Sequence, residues 1–421
     1  MRWFFVSAVV FSACSGPHAV VPDGGDFGAD AGLTAGGGGA AAGGTAGGSS
    51  AGGSAGGGSA GGSVFCAPRP TGAEVNSLTV TTTPTDYGMQ GALAVQVRSD
   101  VANPRWPQEP ITVYRPADAL QYPVIFYSHA FLGSDHTRIA PMLRRLASAG
   151  FNVVFVPYKG LSVTRTEQYA TLWEGFRAAA TQYGALFDLT RVGFMGHSFG
   201  GGATPELARR AFAAPTLNGL TQPWGSSGRF LFIMAPWFSF PALESPTATN
   251  DDFRDLPLDV KVVVQVFADD DTNDHLIARQ DVWDKLPTGL ERSWQVISSD
   301  QCGADLLLAS HNIPPGDVAN AGDNALDVWG ITRHALALAD YAVGSKRDAA
   351  KEVAFGLTEA GRSMGQWVGC GGRQVVPLTA STSPVFTPCS GGAAQPKQYT
   401  FDVSQHCRYS DRGAAGTPPC R

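Results

Sequence analysis

The residues with the clearest chemical potential form the pentapeptide GHSFG at positions 196–200, which has the pattern G-x-S-x-G. An apolar segment at 192–195 leads directly into it, and a segment of helical character follows it. This context predicts a strand, a sharp turn and a helix, with the hydroxyl of Ser198 raised on the turn. Glycines are required where strand and helix approach too closely for a Cβ atom. Ser198 is therefore the candidate nucleophile; a tight turn with a structural serine is the alternative.

A serine nucleophile needs a general base, and the base needs an acid to orient it. On an elbow of this kind the acid and then the histidine follow the serine along the chain. A predicted strand at 262–267 leads into Asp269, Asp270 and Asp271, with Asp274 close behind. We expect Asp271 to be the acid, with Asp269 and Asp270 as alternatives, and Asp274 to cap a helix. A solvated acidic loop or a calcium site are other interpretations of this run.

The candidate base is His311, because it follows the last predicted strand and precedes the closing helix. His275 lies too close to the acidic run to approach Ser198 from a separate loop. His334 lies among apolar residues of the closing helix, and His406 lies in a cysteine-rich tail. The chain order therefore predicts a Ser198, Asp271 and His311 triad.

A tetrahedral intermediate on Ser198 would need two N–H donors for its oxyanion. One is the amide of Phe199, the residue after the nucleophile. The other is expected in the loop 128–133, which follows the predicted strand 124–127, and we assign it to the amide of Phe131. His129 lies in the same loop but precedes the serine, so we expect it to shape the loop.

Short apolar segments alternate with segments of helical spacing, which predicts an α/β fold with a mostly parallel sheet and helices on both faces. The later strands are predicted at 124–127, 153–156, 192–195, 230–234, 262–266 and 294–297, after earlier strands at 78–82, 92–97 and 111–114. The helices are predicted at 139–149, 168–186, 200–212, 275–286 and 324–343.

The N-terminus reads as an export signal. An apolar run at 3–13 ends at Cys14 and resembles the lipobox of bacterial lipoproteins, in which the cysteine is acylated and the preceding peptide, here 1–13, is removed. An ordinary secretory signal is the alternative. Residues 14–65 are rich in Gly, Ala and Ser, which predicts a flexible tether. We therefore expect a protein outside the cytoplasm, anchored to the cell-envelope membrane by lipid; no apolar run is long enough for a transmembrane helix.

The chain has seven cysteines, and acylation of Cys14 would leave six. An even number in an exported chain predicts disulfide bonds, with the pairing left open. These six are Cys66, Cys302, Cys370, Cys389, Cys407 and Cys420. We divide the folded part into a catalytic domain, 66–345, and a cysteine-rich C-terminal extension, 346–421.

Composition limits the partners of the chain. Its 421 residues carry a formal net charge of −6, so there is no electrostatic reason to bind nucleic acid. Hydrophobic residues make up 43% and charged residues 16%, which indicates a packed core. We expect a monomer.

Several motifs together resemble the α/β-hydrolases of the dienelactone hydrolase and bacterial cutinase (polyester hydrolase) group. The similar segments are the oxyanion loop 128–133, with Ala130 where Gly is usual, the elbow 196–202, with Phe199 where Met is usual, the Ala-Pro-Trp motif 235–237, the acid loop 268–272 and the histidine loop 309–311. The resemblance implies an α/β-hydrolase fold and places Trp237, with Phe131, against the substrate. It also favours Asp271 as the acid.

The resemblance implies a serine esterase acting on small or polymeric esters, with no metal and no organic cofactor. The serine at position 198 favours esterases over dienelactone hydrolases proper, which use cysteine there. A serine peptidase of the same fold is one alternative, and a surface binding protein on an inactive hydrolase scaffold is another.

Overall fold

The computed structural model describes residues 70–82, 84, 86–212, 223–239, 253–270, 272–314, 323–344 and 348–384, all within the unit Ser59–Arg421. Several predictions concern residues outside these ranges. They are the signal peptide 1–13, Cys14, the tether 14–65, Asp271, His406 and the cysteines Cys66, Cys389, Cys407 and Cys420.

A nine-stranded sheet forms the centre of the described structure. Its strands are β2 (Val95–Val101), β3 (Ile111–Pro116), β4 (Tyr122–Ser128), β5 (Asn152–Phe155), β6 (Phe187–His197), β7 (Gly228–Met234), β8 (Lys261–Phe267), β9 (Glu291–Ile297) and β12 (Thr379–Ser381). They lie side by side in the order β12-β9-β8-β7-β6-β4-β5-β3-β2. Strands β4 to β9 are parallel to one another, and β2, β3 and β12 pair antiparallel at the edges. The prediction of a mostly parallel sheet is confirmed.

A second, three-stranded sheet consists of β1 (Ala73–Glu74), β11 (Asp305–Leu307) and β10 (Asp300–Cys302). The strand expected at 78–82 is not formed. That segment contributes a single bridge from Thr81 to Trp367. Its Val and Thr residues have a high strand propensity, but no strand lies alongside the segment to pair with it. Strand propensity without a pairing partner does not produce a strand.

Helices cover both faces of the large sheet, as predicted. They are α1 (Ala140–Ser148), α2 (Arg165–Gln182), α3 (Phe199–Phe212), α4 (His275–Ile277), α5 (Arg333–Val343), α6 (Asp348–Ala354) and α7 (Glu359–Arg362). A π-helical segment and a 3-10 turn extend α4 through Lys285, and a π-helical segment, Leu326–Thr332, precedes α5. Among the described helices, none is long and apolar enough to cross a membrane.

The alternation of side chains along the strands builds two hydrophobic cores. In β4, Val124 and Phe126 belong to one core, whereas Ile125 and Tyr127 belong to the other. Successive side chains of a strand point to opposite faces, so a strand covered on both sides is apolar at nearly every position. This requirement explains the short, uninterrupted apolar runs of the sequence.

The described part of the predicted extension, 348–384, completes one edge of the large sheet. Strand β12 pairs antiparallel with β9, aligning Ala380 with Gln295. Cys302 and Cys370 form a disulfide with their Cα atoms 6.0 Å apart, which confirms disulfide formation for these two cysteines. The extension is therefore joined to the large sheet by backbone pairing and to the small sheet by the disulfide.

Candidate active site

Ser198 lies at the carboxyl end of β6, between the strand and α3, in the left-handed region with φ +56°. A non-glycine residue pays a conformational cost there and persists only when its surroundings hold it. The backbone N–H of Ser198 donates to the carbonyl of Met234 at 3.0 Å. The carbonyl of Ser198 accepts from the amides of Trp237 at 2.8 Å and Gly202 at 3.0 Å. These bonds fix the strained turn in place.

The glycines of the pentapeptide are required by close backbone contacts. A Cβ atom on Gly200 would lie 2.1 Å from the carbonyl oxygen of Ser128, and one on Gly196 would lie 2.3 Å from that of Gly200. Real Cβ atoms do not approach so closely. The sharp turn at Ser198 therefore depends on both glycines, as the sequence pattern predicts.

Three side chains form a continuous hydrogen-bond chain that begins at the elbow. Nε2 of His311 lies 2.9 Å from Oγ of Ser198, and Nδ1 of His311 lies 2.8 Å from Oδ2 of Asp270. All three residues are buried. The loop after β11 supplies His311 and the loop after β8 supplies Asp270. An imidazole placed in this way can take a proton from the hydroxyl while the carboxylate orients it.

The carboxylate that the structure places against His311 is that of Asp270, which the sequence offers as an alternative to Asp271. Asp271 itself lies outside the described residues. The turn after β8 determines which carboxylate reaches His311, and this turn is closed by the amide of Asp270, which donates to the carbonyl of Phe267 at 3.1 Å. The carboxylate of Asp269 accepts instead from the hydroxyl of Ser299. Asp274 caps α4 as expected, accepting from the amide of Leu276 at 2.8 Å.

The electrostatics of Asp270 favour its charged form. Burial acts to raise the pKa of its carboxyl group. The bonds to His311 and to the amides of Asn273 and Thr272 outweigh that effect and hold the pKa below its usual value. Asp270 is therefore ionised at neutral pH and can stabilise a positive charge that forms on His311.

A second imidazole, that of His197, lies beside His311 with the ring centroids 4.7 Å apart. Burial and the neighbouring His311 together hold the pKa of His197 well below its ordinary value. His197 therefore stays neutral and places no competing positive charge beside the triad. The sequence singled out position 197 only as part of the pentapeptide.

Phe131 and Phe199, whose amides are the predicted oxyanion donors, have their side chains in contact. Their rings meet edge to face with centroids 6.4 Å apart, and the guanidinium of Arg165 lies over both rings at 5.3 and 5.4 Å. Phe131 is half-buried in the loop after β4. The next residue, Leu132, has φ +62° and is exposed. This loop and the start of α3 are thus neighbours at the carboxyl edge of the sheet.

Trp237 lies in the turn after β7 and is half-buried. Its backbone amide donates to the carbonyl of Ser198, and its ring meets that of Phe238 edge to face with the centroids 4.6 Å apart.

The sequence analysis did not identify Asn273, whose side-chain amide donates to the carbonyl of Ala235 at 2.7 Å. Ala235 itself has φ +38°. Asn273 therefore connects the loop after β8 to the turn that carries Trp237. The only sequence signal for this residue was its position within the acidic segment 269–274.

A cavity of about 860 Å³ lies elsewhere, among residues that include Tyr87, Tyr122, Phe151, Arg191 and Leu336. Tyr122 begins β4 and Arg191 pairs with the first residue of β7, so this cavity is at the amino ends of the parallel strands. The triad is at the carboxyl ends, where open α/β sheets bind their ligands. Within the described ranges, no group of three or more His, Cys, Asp or Glu side chains is arranged to hold a metal ion.

Comparison with known proteins adds no family assignment. No protein-family model matches the chain, and no curated protein matches its sequence.

Proposed function

We propose that this chain is a carboxylic ester hydrolase of the α/β-hydrolase fold. The observation that carries the proposal is the hydrogen-bond chain from Ser198 through His311 to Asp270. The strained turn at Ser198 and the mostly parallel sheet order support it. A nucleophile, a base and an acid at the carboxyl edge of such a sheet have the arrangement that acyl transfer requires.

In the proposed mechanism, Oγ of Ser198 attacks the carbonyl carbon of the ester while Nε2 of His311 takes the hydroxyl proton. The carbonyl oxygen becomes an oxyanion, which the amides of Phe131 and Phe199 stabilise. Collapse of the intermediate breaks the ester bond, and His311 returns the proton to the leaving alcohol. Water then attacks the acyl-enzyme by the same route, releasing the carboxylic acid and restoring the Ser198 hydroxyl. Asp270 stabilises the imidazolium in both halves.

The side chains around Ser198 favour an apolar acyl or aromatic group. Phe131 and Trp237 are half-buried beside the elbow, and Phe199 is buried beneath it. Apolar and aromatic walls with a few polar groups are typical of pockets for small organic ligands. In an inactive binding protein, the strained backbone of Ser198 and the buried carboxylate of Asp270 would each cost stability without contributing to function.

The proposed activity is tested by covalent labelling and by hydrolysis. A fluorophosphonate probe should label the protein once, at Ser198, as located by peptide mass spectrometry. A series of p-nitrophenyl esters of graded acyl length should be cleaved, whereas matched p-nitroanilides should be cleaved far more slowly. Faster anilide cleavage would point to a peptidase, and neither labelling nor hydrolysis would leave the binding-protein alternative.

We also propose that the protein acts outside the cytoplasm, anchored through an acylated Cys14. The disulfide between Cys302 and Cys370 supports export, since disulfides persist in oxidising compartments. Cys14→Ser should block maturation or release the protein from membranes, whereas the wild type should resist a salt wash. A wild-type protein that is soluble, with an unmodified N-terminus, would refute the anchor.

A further inference from the structure

His129 is a buried imidazole directly after β4, at the start of the loop that carries Phe131. Its ring stacks on that of Tyr158, with centroids 3.9 Å apart and planes 7° from parallel. The hydroxyl of Tyr158 donates to the carbonyl of His129 at 3.0 Å. His129 takes part in no step of the proposed reaction, yet Tyr158 contacts both its ring and its backbone carbonyl.

The contacts of His129 determine its tautomer. The backbone N–H of Tyr158 can only donate, and it donates to Nε2 of His129 at 3.2 Å. Nε2 therefore carries no proton, and in a neutral imidazole the proton must be on Nδ1. Nδ1 lies 2.6 Å from the carbonyl oxygen of Ala130 and donates to it. Burial lowers the pKa of His129 to about 3, so the ring keeps this form at neutral pH.

The carbonyl that His129 holds belongs to the same peptide unit as the N–H of Phe131. A trans peptide is planar, so its C=O and N–H point in opposite directions and cannot turn independently. The Ala130 carbonyl also accepts from the amide of Gly133 at 2.9 Å. Two donors therefore fix the orientation of this peptide in a loop that is strained at Leu132, where φ is +62°.

We propose that His129 is a positioning residue that aims the Phe131 amide at the oxyanion by holding the Ala130 carbonyl. The proposal rests on the ester hydrolase function proposed above. Rotation of this peptide would turn the N–H away from the intermediate and present a carbonyl oxygen in its place. His129 acts on the transition state alone, because the ester carbonyl of the bound substrate carries much less negative charge.

Two substitutions separate the hydrogen bond from the packing of the ring. His129→Phe keeps a ring against Tyr158 but cannot donate to Ala130. In His129→Asn the side-chain amide nitrogen is as many bonds from the backbone as Nδ1 and can still donate. His334→Phe is the matched control, since His334 is equally buried and lies in α5, away from the triad.

We expect His129→Phe to lower kcat about 10²-fold, the lower end of what loss of one oxyanion donor costs, with KM little changed. Its affinity for a trifluoromethyl ketone, which forms an oxyanion on Ser198, should fall by a similar factor. His129→Asn should retain kcat and ketone affinity within about threefold of the wild type at some cost in stability. His334→Phe should lower only stability.

The proposal is overturned if folded His129→Phe keeps wild-type kcat and ketone affinity, or if His129→Asn is as defective as His129→Phe. If His129→Phe does not fold, ¹⁵N NMR of the wild type with labelled histidine tests the proposal by reporting the tautomer and the protonation state of His129. A proton on Nε2 of His129, or titration of its ring above pH 6, overturns the proposal. A wild type that neither hydrolyses esters nor reacts with fluorophosphonate refutes the hydrolase function instead, so the two failures are distinct.

Discussion

The carboxylate of Asp270 binds Nδ1 of His311 through Oδ2 at 2.8 Å, while its Oδ1 accepts the amides of Thr272 and Asn273, each at 2.8 Å. The carboxylate is thus fixed from two sides, by the imidazole of His311 and by the amides of its own loop. A carboxylate held in this way favours the imidazole tautomer with the proton on Nδ1, which leaves Nε2 free to accept the proton of Ser198.

Ser198→Ala should abolish ester hydrolysis without unfolding the protein. Removing the nucleophile of a comparable triad costs about 10⁶ in kcat. The measurement is kcat on the best p-nitrophenyl ester, with circular dichroism and thermal unfolding as controls for the fold. A folded variant that retains more than about a tenth of the activity would show that the nucleophile is misassigned.

Asp270→Asn should lower kcat by about 10⁴, because an amide in place of the carboxylate favours the wrong tautomer of His311. Asp269→Asn and Asp274→Asn are matched controls, and each should cost far less. Asp271→Asn completes the series, since the sequence alone favoured Asp271. If Asp271→Asn is inactive and Asp270→Asn is active, our assignment of the acid is wrong.

The contribution of Asp270 to stability should depend on pH. Its folded pKa is below that of the unfolded chain, which is about 3.9 for an aspartate. The contribution is therefore fully present above the unfolded pKa and is lost as the pH falls through the folded pKa. Urea unfolding of the wild type and of Asp270→Asn at pH 3–7 should give a stability difference that narrows below about pH 4. A difference that widens with acidification would contradict the assigned direction.

Gly200→Ala should destabilise the elbow, since the added Cβ would lie 2.1 Å from the Ser128 carbonyl oxygen. Overpacking of this kind costs about 1–3 kcal/mol, and displacement of Ser198 should reduce kcat as well. Gly369→Ala is the matched control, because its nearest neighbour is Sγ of Cys302 at 3.7 Å, an ordinary contact. Equal thermal unfolding midpoints for the two variants would refute the steric argument.

Removal of the disulfide by Cys302→Ser with Cys370→Ser should lower the free energy of unfolding by about 2–4 kcal/mol. The bond closes a sequence separation of 68 residues, which restricts the unfolded chain. Chemical denaturation with and without reductant measures the effect, and the double variant should lose its response to reductant. An unchanged midpoint in the double variant would show that the bond adds nothing to stability.

Local signals made much of this architecture predictable. The runs at 124–127, 192–195 and 262–267 are strands because a sheet covered on both faces favours apolar side chains at nearly every position. The polar exception, Gln265, is buried and donates to Gln295 and to the Gly330 carbonyl. The pentapeptide at 196–200 predicts the elbow because close backbone approach admits only glycine at its ends. The order of segments along the chain then placed His311 in a loop that reaches Ser198.

Other features depend on contacts between distant segments. Strand β12 forms because Thr379–Ser381 meets β9, more than 80 residues earlier, and its short sequence carries no strand signal of its own. The pairing of Cys302 with Cys370 depends in the same way on where the two segments meet. The segment 78–82 has strand propensity but only one bridging partner, at Thr81.

The sequence by itself indicated the candidate nucleophile Ser198, the candidate base His311 and the class of sheet, because each follows from local spacing and from the order of segments. It narrowed the candidate acid to three consecutive aspartates that satisfy the same order. Only the tertiary structure shows that Asp270 contacts His311, since the bonds from Asp270 to Phe267 and from Asp269 to Ala309 set the rotation of the loop. That rotation turns the Asp270 carboxylate toward His311, and no property of the three identical side chains could have distinguished it.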